Sequence, residues 1–288
     1  MTLIDDVRTY YETNTKRFER FGQGGGTIHR AVWGDGVTSR DEAFRHIDEL
    51  IWRELEPLTR ARDGVHVLDL GCGVGASLVF LASRADIRAT GATLSGVQAA
   101  RARDRGRRAG LDGRVLFLEA NFLELPASVA PAELAFSIEA FVHGPDPRAY
   151  FEAASRYLVP GGVLVVCDDF LTAAGRATTS ARDRRRLEDV RSGWLANTLV
   201  TTVEANALAA SAGFELAKNL DLTPFLELGR PRDRLISALV ALGRRLPLRG
   251  FAWRSLVGGS ALQRALTTGL VEYRFIVWKK RERADAPA

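Results

Sequence analysis

The 288-residue chain lacks the features that mark several large protein classes. Its two cysteines, Cys72 and Cys167, have no metal-ligating neighbours in the sequence, which argues against a disulfide framework or a metal site and favours buried thiols. No run of eighteen apolar residues occurs, and the first residues, MTLIDDVRTYYETNTKRF, are polar and acidic where a signal peptide would be basic and then apolar. Internal repeats and low-complexity linkers are also missing. These absences predict a cytoplasmic globular protein without stable membrane insertion.

Lysine is scarce as well, occurring only at positions 16, 218, 279 and 280. The net charge of +5 and the pI of about 9.5 therefore come mostly from arginine. Most of these arginines are expected on solvated faces of amphipathic helices rather than in a basic run with interleaved stacking aromatics. The pattern argues against a nucleic-acid partner, and a homo-oligomer is compatible with it.

The chain does contain a regular alternation of short apolar runs and helical segments, starting at residue 64. Strands are predicted at 65–70, 87–92, 114–119, 132–138 and 162–169, followed by a sixth after Gly213 and a seventh at 270–280. Helices are predicted at 75–84, 95–110, 146–157 and within 201–212. The alternation indicates an α/β fold with a Rossmann-like, mostly parallel sheet of seven strands whose last strand is antiparallel.

Helical segments outside this alternation are predicted to cover the sheet. Residues 1–63 form an N-terminal helical lid, in which 41–58 carries an apolar stripe that stops near Pro57. Residues 64–288 form the second domain, with cap insertions near 172–200 and 223–268. The caps are placed over the carboxyl edge of the sheet, where open α/β folds bind ligands.

The stretch HVLDLGCGVGAS, residues 66–77, predicts a strand, a glycine turn and a helix that together hold a nucleotide-like cofactor. Gly71, Gly73 and Gly75 let the backbone approach a ligand closely. The stretch also fits G-x-G-x-x-A, but a dinucleotide site usually has an acid after the second strand, and none is present here. Asp69, two residues before the first glycine, suits a cationic group such as a sulfonium or ammonium and would repel a pyrophosphate.

Together with LVPGGVLVV at 158–166 and the order of the elements, this D-x-G-x-G-x-G stretch resembles the class I S-adenosylmethionine-dependent methyltransferases. The resemblance covers about residues 60–172 and the helix and strand pair within 203–280. It implies S-adenosylmethionine as cofactor, bound by Asp69, Gly71, Gly73 and Gly75.

A narrower resemblance lies in GATLSGVQ, residues 91–98. It is similar to the G-x-T-L-S-x-x-Q segment of the cyclopropane fatty acid synthase, tocopherol and sterol methyltransferase group. The resemblance implies that Thr93 and Gln98 replace the missing acid at the ribose, with Leu94 beside them. Alternatively, Thr93 and Ser95 cap the helix that starts near residue 96.

The residues after the third strand, LEANFLELP at 118–126, are expected to meet the adenine. Asn121 stands where the family usually has Asp, and its amide is able to bond the adenine edge while Phe122 covers the ring. The alternative for Phe122 is an ordinary core aromatic.

The fourth strand ends in FSIEAFVHGPDP, residues 136–147, which resembles the S-I-E-x-x-x-H-x-x-D stretch of alkene and tocopherol-type carbon methyltransferases. An alkene that attacks a sulfonium methyl leaves a carbocation, which a carboxylate stabilises and deprotonates. Glu139 is the candidate base for this reaction. The alternatives are that Glu139 only bonds the methionine moiety or a backbone N–H, and that His143 either serves as base for a hydroxyl or amine acceptor or bonds locally before Pro145.

The candidate acceptor contacts lie in the lid and caps. Candidate phosphate contacts are Arg17, Arg20, His29 and Arg30, joined by Arg230, Arg232 and Arg234, since arginine suits phosphate oxygens. The alternative is that these arginines are solvated helix surface or form salt bridges within the lid. An isoprenoid diphosphate, such as a geranyl diphosphate-like small molecule of secondary metabolism, would combine such a charge with an alkene. No Asp-rich motif supports a bridging Mg²⁺. Aromatic walls for a cation are sought among the lid and cap residues Tyr10, Tyr11, Phe18, Phe21, Trp33, Trp194 and Phe225.

Overall fold

The computed structural model describes residues 3–21, 29–244 and 250–282, with the side chains of residues 10, 14–21 and 251 outside that description. The N-terminal part holds α1 (Leu3–Phe21) and α2 (Arg40–Ala61). A capping box starts α2, because Ser39 Oγ accepts from the Glu42 backbone and Glu42 accepts from the Ser39 backbone. Every apolar residue of the predicted α2 stripe is buried.

The expected stop of α2 near Pro57 is wrong, since the helix continues to Ala61. Proline removes one N–H donor, but here it lies close to the end of the helix, where one lost bond matters least. The last turn has its own support: Arg62 N donates to Leu58 O at 3.2 Å, and Arg60 pairs with Glu56 at 2.9 Å.

Seven strands form one sheet in the order β3-β2-β1-β4-β5-β7-β6. Their bounds are β1 His66–Leu70, β2 Arg88–Thr93, β3 Val115–Glu119, β4 Ala132–Ile138, β5 Leu158–Leu171, β6 Phe214–Asp221 and β7 Val271–Lys280. The first five strands pair in parallel, whereas β7 runs antiparallel to both β5 and β6. The predicted Rossmann-like, mostly parallel seven-stranded sheet is confirmed.

The fifth strand is longer than the predicted 162–169. Its antiparallel pairing with β7 continues as far as Leu171 opposite Val271, and its other end reaches Leu158 opposite Ala132. The extension places the buried pair Asp168 and Asp169 inside the strand, near the edge where β1, β2 and β4 also end.

Helices lie on both faces of the sheet and beyond it. They are α3 Ala76–Ala82, α4 Gly96–Arg108, α5 Pro147–Tyr157, α6 Ala173–Ala177, α7 Ala181–Trp194, α8 Thr202–Ser211, α9 Pro231–Gly243 and α10 Phe251–Thr267, with short 3-10 turns at Phe141–His143 and Thr223–Phe225. Helices α7 and α10 cross closely at glycine, because a Cβ on Gly193 would lie 2.7 Å from the Gly258 Cα.

Two apolar cores fill the space between the sheet and its helices, one around Ile47, Leu134 and Phe275 and the other around Phe151 and Trp278. Both cysteines are buried and free, as predicted. No helix of the described residues is both long and apolar enough to cross a bilayer.

Candidate active site

The turn after β1 brings the backbone close to the end of β4. Gly71 has φ of 113°, and a Cβ there would lie 2.3 Å from the Ala140 Cβ. Gly75 has φ of 74° and would place a Cβ 2.6 Å from the Phe117 ring. Both positions therefore require glycine, for backbone geometry as well as for space.

A pocket opens at this edge, and most of the predicted site residues line it. From the predicted set it holds Tyr11, His29, Asp69, Gly71, Gly73, Thr93, Leu94, Gln98, Phe122, Glu139, His143 and Trp194. Val7 and Tyr11 of α1 close it from the lid side; Cys72, Val74, Ala76, Ser77, Ile138 and Ala140 complete the lining. Gly75, Arg30, Trp33 and Asn121 are not among its lining residues.

Asp69 is a buried carboxylate that faces this pocket, only 4% exposed. Burial, followed by the nearby Asp48 carboxylate, raises its pKa well above the ordinary value. No described residue forms an ion pair with Asp69. A bound cationic group would supply the missing partner, so the site fits the ammonium or sulfonium of S-adenosylmethionine.

Thr93 and Gln98 form a buried pair at the end of β2. The Thr93 hydroxyl donates to Gln98 Oε1 at 2.8 Å, and the helix cap is provided by Ser95, whose Oγ accepts from Gln98 N at 3.3 Å. Gln98 Nε2 is buried without a hydrogen-bond partner among the described residues. An unpaired buried donor is costly, so this amide is suited to a ligand hydroxyl such as that of a ribose.

Only one of the two predicted adenine contacts faces the pocket. Phe122 lines it and meets the Tyr150 ring edge-on, with ring centroids 5.6 Å apart. Asn121 instead uses its Oδ1 to accept from Leu123 N at 3.0 Å, which fixes the turn after β3. A contact between Asn121 and adenine stays a prediction that rests on the remaining amide nitrogen.

Glu139 directly follows β4 and lies in the left-handed region, with φ of 50°. Its Oε1 accepts from the Arg30 backbone N at 3.0 Å, from Arg30 Nε at 3.0 Å and from the Tyr273 hydroxyl at 2.9 Å. No described residue donates a hydrogen bond to Oε2. Burial acts to raise the pKa of Glu139, but Arg30, His29 and Tyr273 outweigh it and hold this pKa below the ordinary value.

Arg30, expected to bind a phosphate of the acceptor, is occupied by two carboxylates of the protein. Besides Glu139 it binds Asp169, with Nη1 at 2.9 Å from Oδ1 and Nη2 at 2.6 Å from Oδ2. Two buried carboxylates without a cation would be costly, which explains why the guanidinium lies here. Asp169 and Tyr273 were not found from the sequence; two acids inside the apolar strand CDDF were the only available signal for Asp169.

His143 lies in the 3-10 turn that follows β4 and is buried. Its Nδ1 is 3.0 Å from Leu195 O; since a carbonyl only accepts, Nδ1 carries the proton and Nε2 is the acceptor in the neutral ring. Burial lowers the pKa of His143, which favours that neutral form. The Tyr11 ring stands edge-on to it, with centroids 5.6 Å apart.

The remaining lid and cap residues divide into four groups. His29 and Trp194 line the pocket, whereas Trp33 packs with Ala31, Ala43 and Phe44 and donates its backbone N–H to Phe225 O at 2.8 Å. Arg230 pairs with Glu227 and Asp233, and Arg232 and Arg234 are exposed, so these three do not line the pocket. The side chains of Tyr10, Arg17, Phe18, Arg20 and Phe21, and residues 22–28, lie outside the described residues.

Metal binding has no visible basis in the described part of the chain. It contains no group of three or more His, Cys, Asp or Glu side chains arranged to hold an ion.

Comparison with known proteins agrees with this pocket chemistry. The family described as "Methyltransferase domain" matches residues 67–162. A 27-O-demethylrifamycin SV methyltransferase from Amycolatopsis mediterranei is 31% identical over 201 residues, covering 70% of this chain and 71% of the relative. A 24-methylenesterol C-methyltransferase 2 from Oryza sativa is 34% identical over 217 residues, covering 75% of this chain but only 57% of the relative.

Among solved structures, a geranyl diphosphate methyltransferase in complex with GPP and sinefungin has the same fold, with a TM-score of 0.72 and 20% identity. The similarity covers 96% of this chain and 99% of that one. Since a relative that is 31% identical is matched over 71% of its length, and the methyltransferase family matches residues 67–162, the chain belongs to the S-adenosylmethionine-dependent methyltransferases and uses S-adenosylmethionine as its methyl donor.

Proposed function

We propose that this enzyme transfers the methyl group to an alkene carbon of an apolar small molecule, with Glu139 as the base that completes the reaction. The observation that carries the proposal is the asymmetric binding of the Glu139 carboxylate. All three described donors bind Oε1, which leaves Oε2 for a ligand in the pocket that Glu139 lines.

The cofactor is assigned to the other side of the pocket. Asp69 faces its cationic part, the Gln98 amide meets a ribose hydroxyl, and Phe122 covers the adenine. When bound, S-adenosylmethionine supplies an electrophilic methyl group on a sulfonium.

The alkene supplies the electron pair for the new carbon–carbon bond and becomes a carbocation, while the bond between the methyl group and sulfur would break with its electrons staying on sulfur. Glu139 Oε2 then takes a proton from the neighbouring carbon, and the C–H electrons restore a double bond. A carbocation is a very strong acid, so a carboxylate whose pKa lies below the ordinary value is basic enough for this step. The same negative charge stabilises the cation before the proton leaves.

A second candidate is methylation of an oxygen or nitrogen, with His143 as base. It is supported by the neutral tautomer of His143, which has an acceptor at Nε2, and by the similarity to a methyltransferase of 27-O-demethylrifamycin SV. In this reaction Nε2 would take the proton of an acceptor hydroxyl.

An isoprenoid diphosphate remains one proposed acceptor for carbon methylation. The fold shared with a geranyl diphosphate methyltransferase supports it. Among the described residues that line the pocket, however, none is Arg or Lys.

The test uses a methyl-labelled donor with geranyl, farnesyl and isopentenyl diphosphates, the free alcohols and phenols. We expect the label on carbon, and Glu139→Gln should lower turnover about 10²-fold or more, whereas His143→Gln should not. Label on oxygen, lost in His143→Ala and retained in Glu139→Gln, would replace this proposal by the second candidate. Equal methylation of alcohols and diphosphates would contradict the proposal that the acceptor is a diphosphate.

A further inference from the structure

A cluster of the partly buried Arg30 and Glu139 with the buried Asp169 and Tyr273, hereafter the Arg30 cluster, joins the N-terminal segment to the ends of β4, β5 and β7. We propose that Arg30 is a positioning residue that Asp169 fixes in place and that holds Glu139 by Oε1, so that Oε2 is presented to the acceptor. The inference rests on the proposed role of Glu139 and assigns Arg30 to the protein's own carboxylate rather than to a phosphate of the acceptor.

The geometry of Asp169 fixes the direction of the guanidinium. Both Asp169 oxygens are bound by both terminal nitrogens of Arg30, a bidentate pairing that only a planar fork is able to make. Nε, on the opposite edge of the guanidinium, is then left to point at Glu139. A lysine at this position would have one nitrogen and could not bind both carboxylates in the same way.

The backbone around Arg30 is held independently of its side chain. The Arg30 N–H itself binds Glu139 Oε1, Val32 N donates to Ala43 O at 2.9 Å, and Val32 forms a bridge with Leu226. A side-chain substitution at position 30 thus leaves several anchors of this segment intact.

Tyr273 is the second support of the carboxylate. Its hydroxyl donates to Glu139 Oε1, and its ring lies under the guanidinium, with the Arg30 Cζ 4.3 Å from the ring centroid. Replacing Tyr273 by Phe keeps the ring and removes one donor, so it offers a milder version of the same perturbation.

Arg30 acts on Glu139 through its positive charge as well as through the space that its side chain fills. The cluster contains two carboxylates and one guanidinium, and among the described residues the neighbouring Asp168 is bound by the backbone N–H groups of Val142 and Asp169. Without Arg30, only His29 and the Tyr273 hydroxyl would oppose the effect of burial on Glu139, which moves its pKa upward. Glu139 would then become protonated over part of the acid range.

The first test measures kcat and KM against pH for Arg30→Gln, with Arg60→Gln as control, since Arg60 is an exposed arginine paired to Glu56. We expect kcat to fall about 10²-fold, KM for S-adenosylmethionine to stay within about twofold, and the acid limb of kcat to move to higher pH. Tyr273→Phe should move the limb in the same direction by less. An unchanged kcat and acid limb in both variants would overturn the inference.

The second test does not need turnover. In protein labelled with ¹³C at the glutamate carboxyl groups, the Glu139 signal is assigned by its loss in Glu139→Gln and followed against pH. We expect it to stay ionised to lower pH in the native protein than in Arg30→Gln or Tyr273→Phe. If this shift is found but no acceptor is methylated on carbon, the positioning role of Arg30 stands and the proposed function fails. If carbon methylation is found but neither variant shifts the titration of Glu139, the proposed function stands and this inference fails.

Discussion

The two sides of the pocket are built in different ways. On the cofactor side, the partners are close in the chain, as with Thr93 and Gln98, five positions apart. On the side of Glu139, the contacts to Arg30 and Tyr273 join residues 109 and 134 positions apart, and Arg30 reaches Asp169 across 139 positions. The Thr93 and Gln98 pair therefore lies within one short motif, whereas the contacts of Glu139 exist only once the whole sheet and the N-terminal segment have assembled.

The largest effect on stability is predicted at the glycine turn after β1, where the backbone packs closely against Ala140. In Gly71→Ala the new Cβ meets Ala140 and the left-handed backbone is strained, so we expect a loss of about 2–5 kcal/mol in the free energy of unfolding. Urea unfolding measures it. Gly110→Ala is the matched control, because Gly110 has φ of 68° and open space around it, and it should lose only about 1–2 kcal/mol. Equal losses in the two variants would mean that the contact with Ala140 is unimportant.

A smaller effect is expected for Asp69→Asn, which should stabilise the fold but weaken binding of the cofactor. Its folded pKa lies above the unfolded value, so the folded state binds the proton more tightly and stability falls as the pH rises through the interval between them. Asp69→Asn should remove this fall and raise the Tm of the cofactor-free protein at pH 7. It should also weaken binding of S-adenosylmethionine about 10- to 100-fold, through the loss of a charge-assisted contact.

Thermal unfolding at pH 5 and pH 7, with calorimetric titration of the cofactor, tests both signs at Asp69. Asp104→Asn, which changes an exposed carboxylate, is the control. If the Tm of Asp69→Asn at pH 7 is lower than that of the native protein, and its affinity for S-adenosylmethionine is unchanged, the account of Asp69 is contradicted.

The smallest effect is predicted at Gln98. Gln98→Leu removes the unpaired Nε2 but also the acceptor of the Thr93 hydroxyl, so stability should change little while the Kd of S-adenosylhomocysteine rises about 5- to 10-fold. Gln263→Leu, on α10, changes the same residue type away from the pocket and should leave the Kd unchanged. If the Kd of S-adenosylhomocysteine is unchanged in Gln98→Leu, the assignment of Gln98 to the ribose is contradicted.

The same division explains what could be read from the sequence. Each strand and helix of the βα alternation can be predicted from a short stretch of sequence, and so can the glycine turn and GATLSGVQ. These stretches predicted the sheet, its last antiparallel strand and most of the pocket lining. The partner of Arg30 could not be read in this way, because the pairing of residue 30 with residue 169 depends on the tertiary path of the lid segment. Pro57 shows a further limit, since hydrogen bonds and an ion pair within the last turn let α2 continue four residues past a local stop signal.

The most direct test of this division is the Kd of S-adenosylhomocysteine, measured by calorimetry for the native protein and for Glu139→Gln. If Glu139 belongs to the acceptor side, the two values should agree within about twofold while methyl transfer is lost. A Kd that rises about tenfold or more in Glu139→Gln would place this carboxylate on the cofactor and contradict the account.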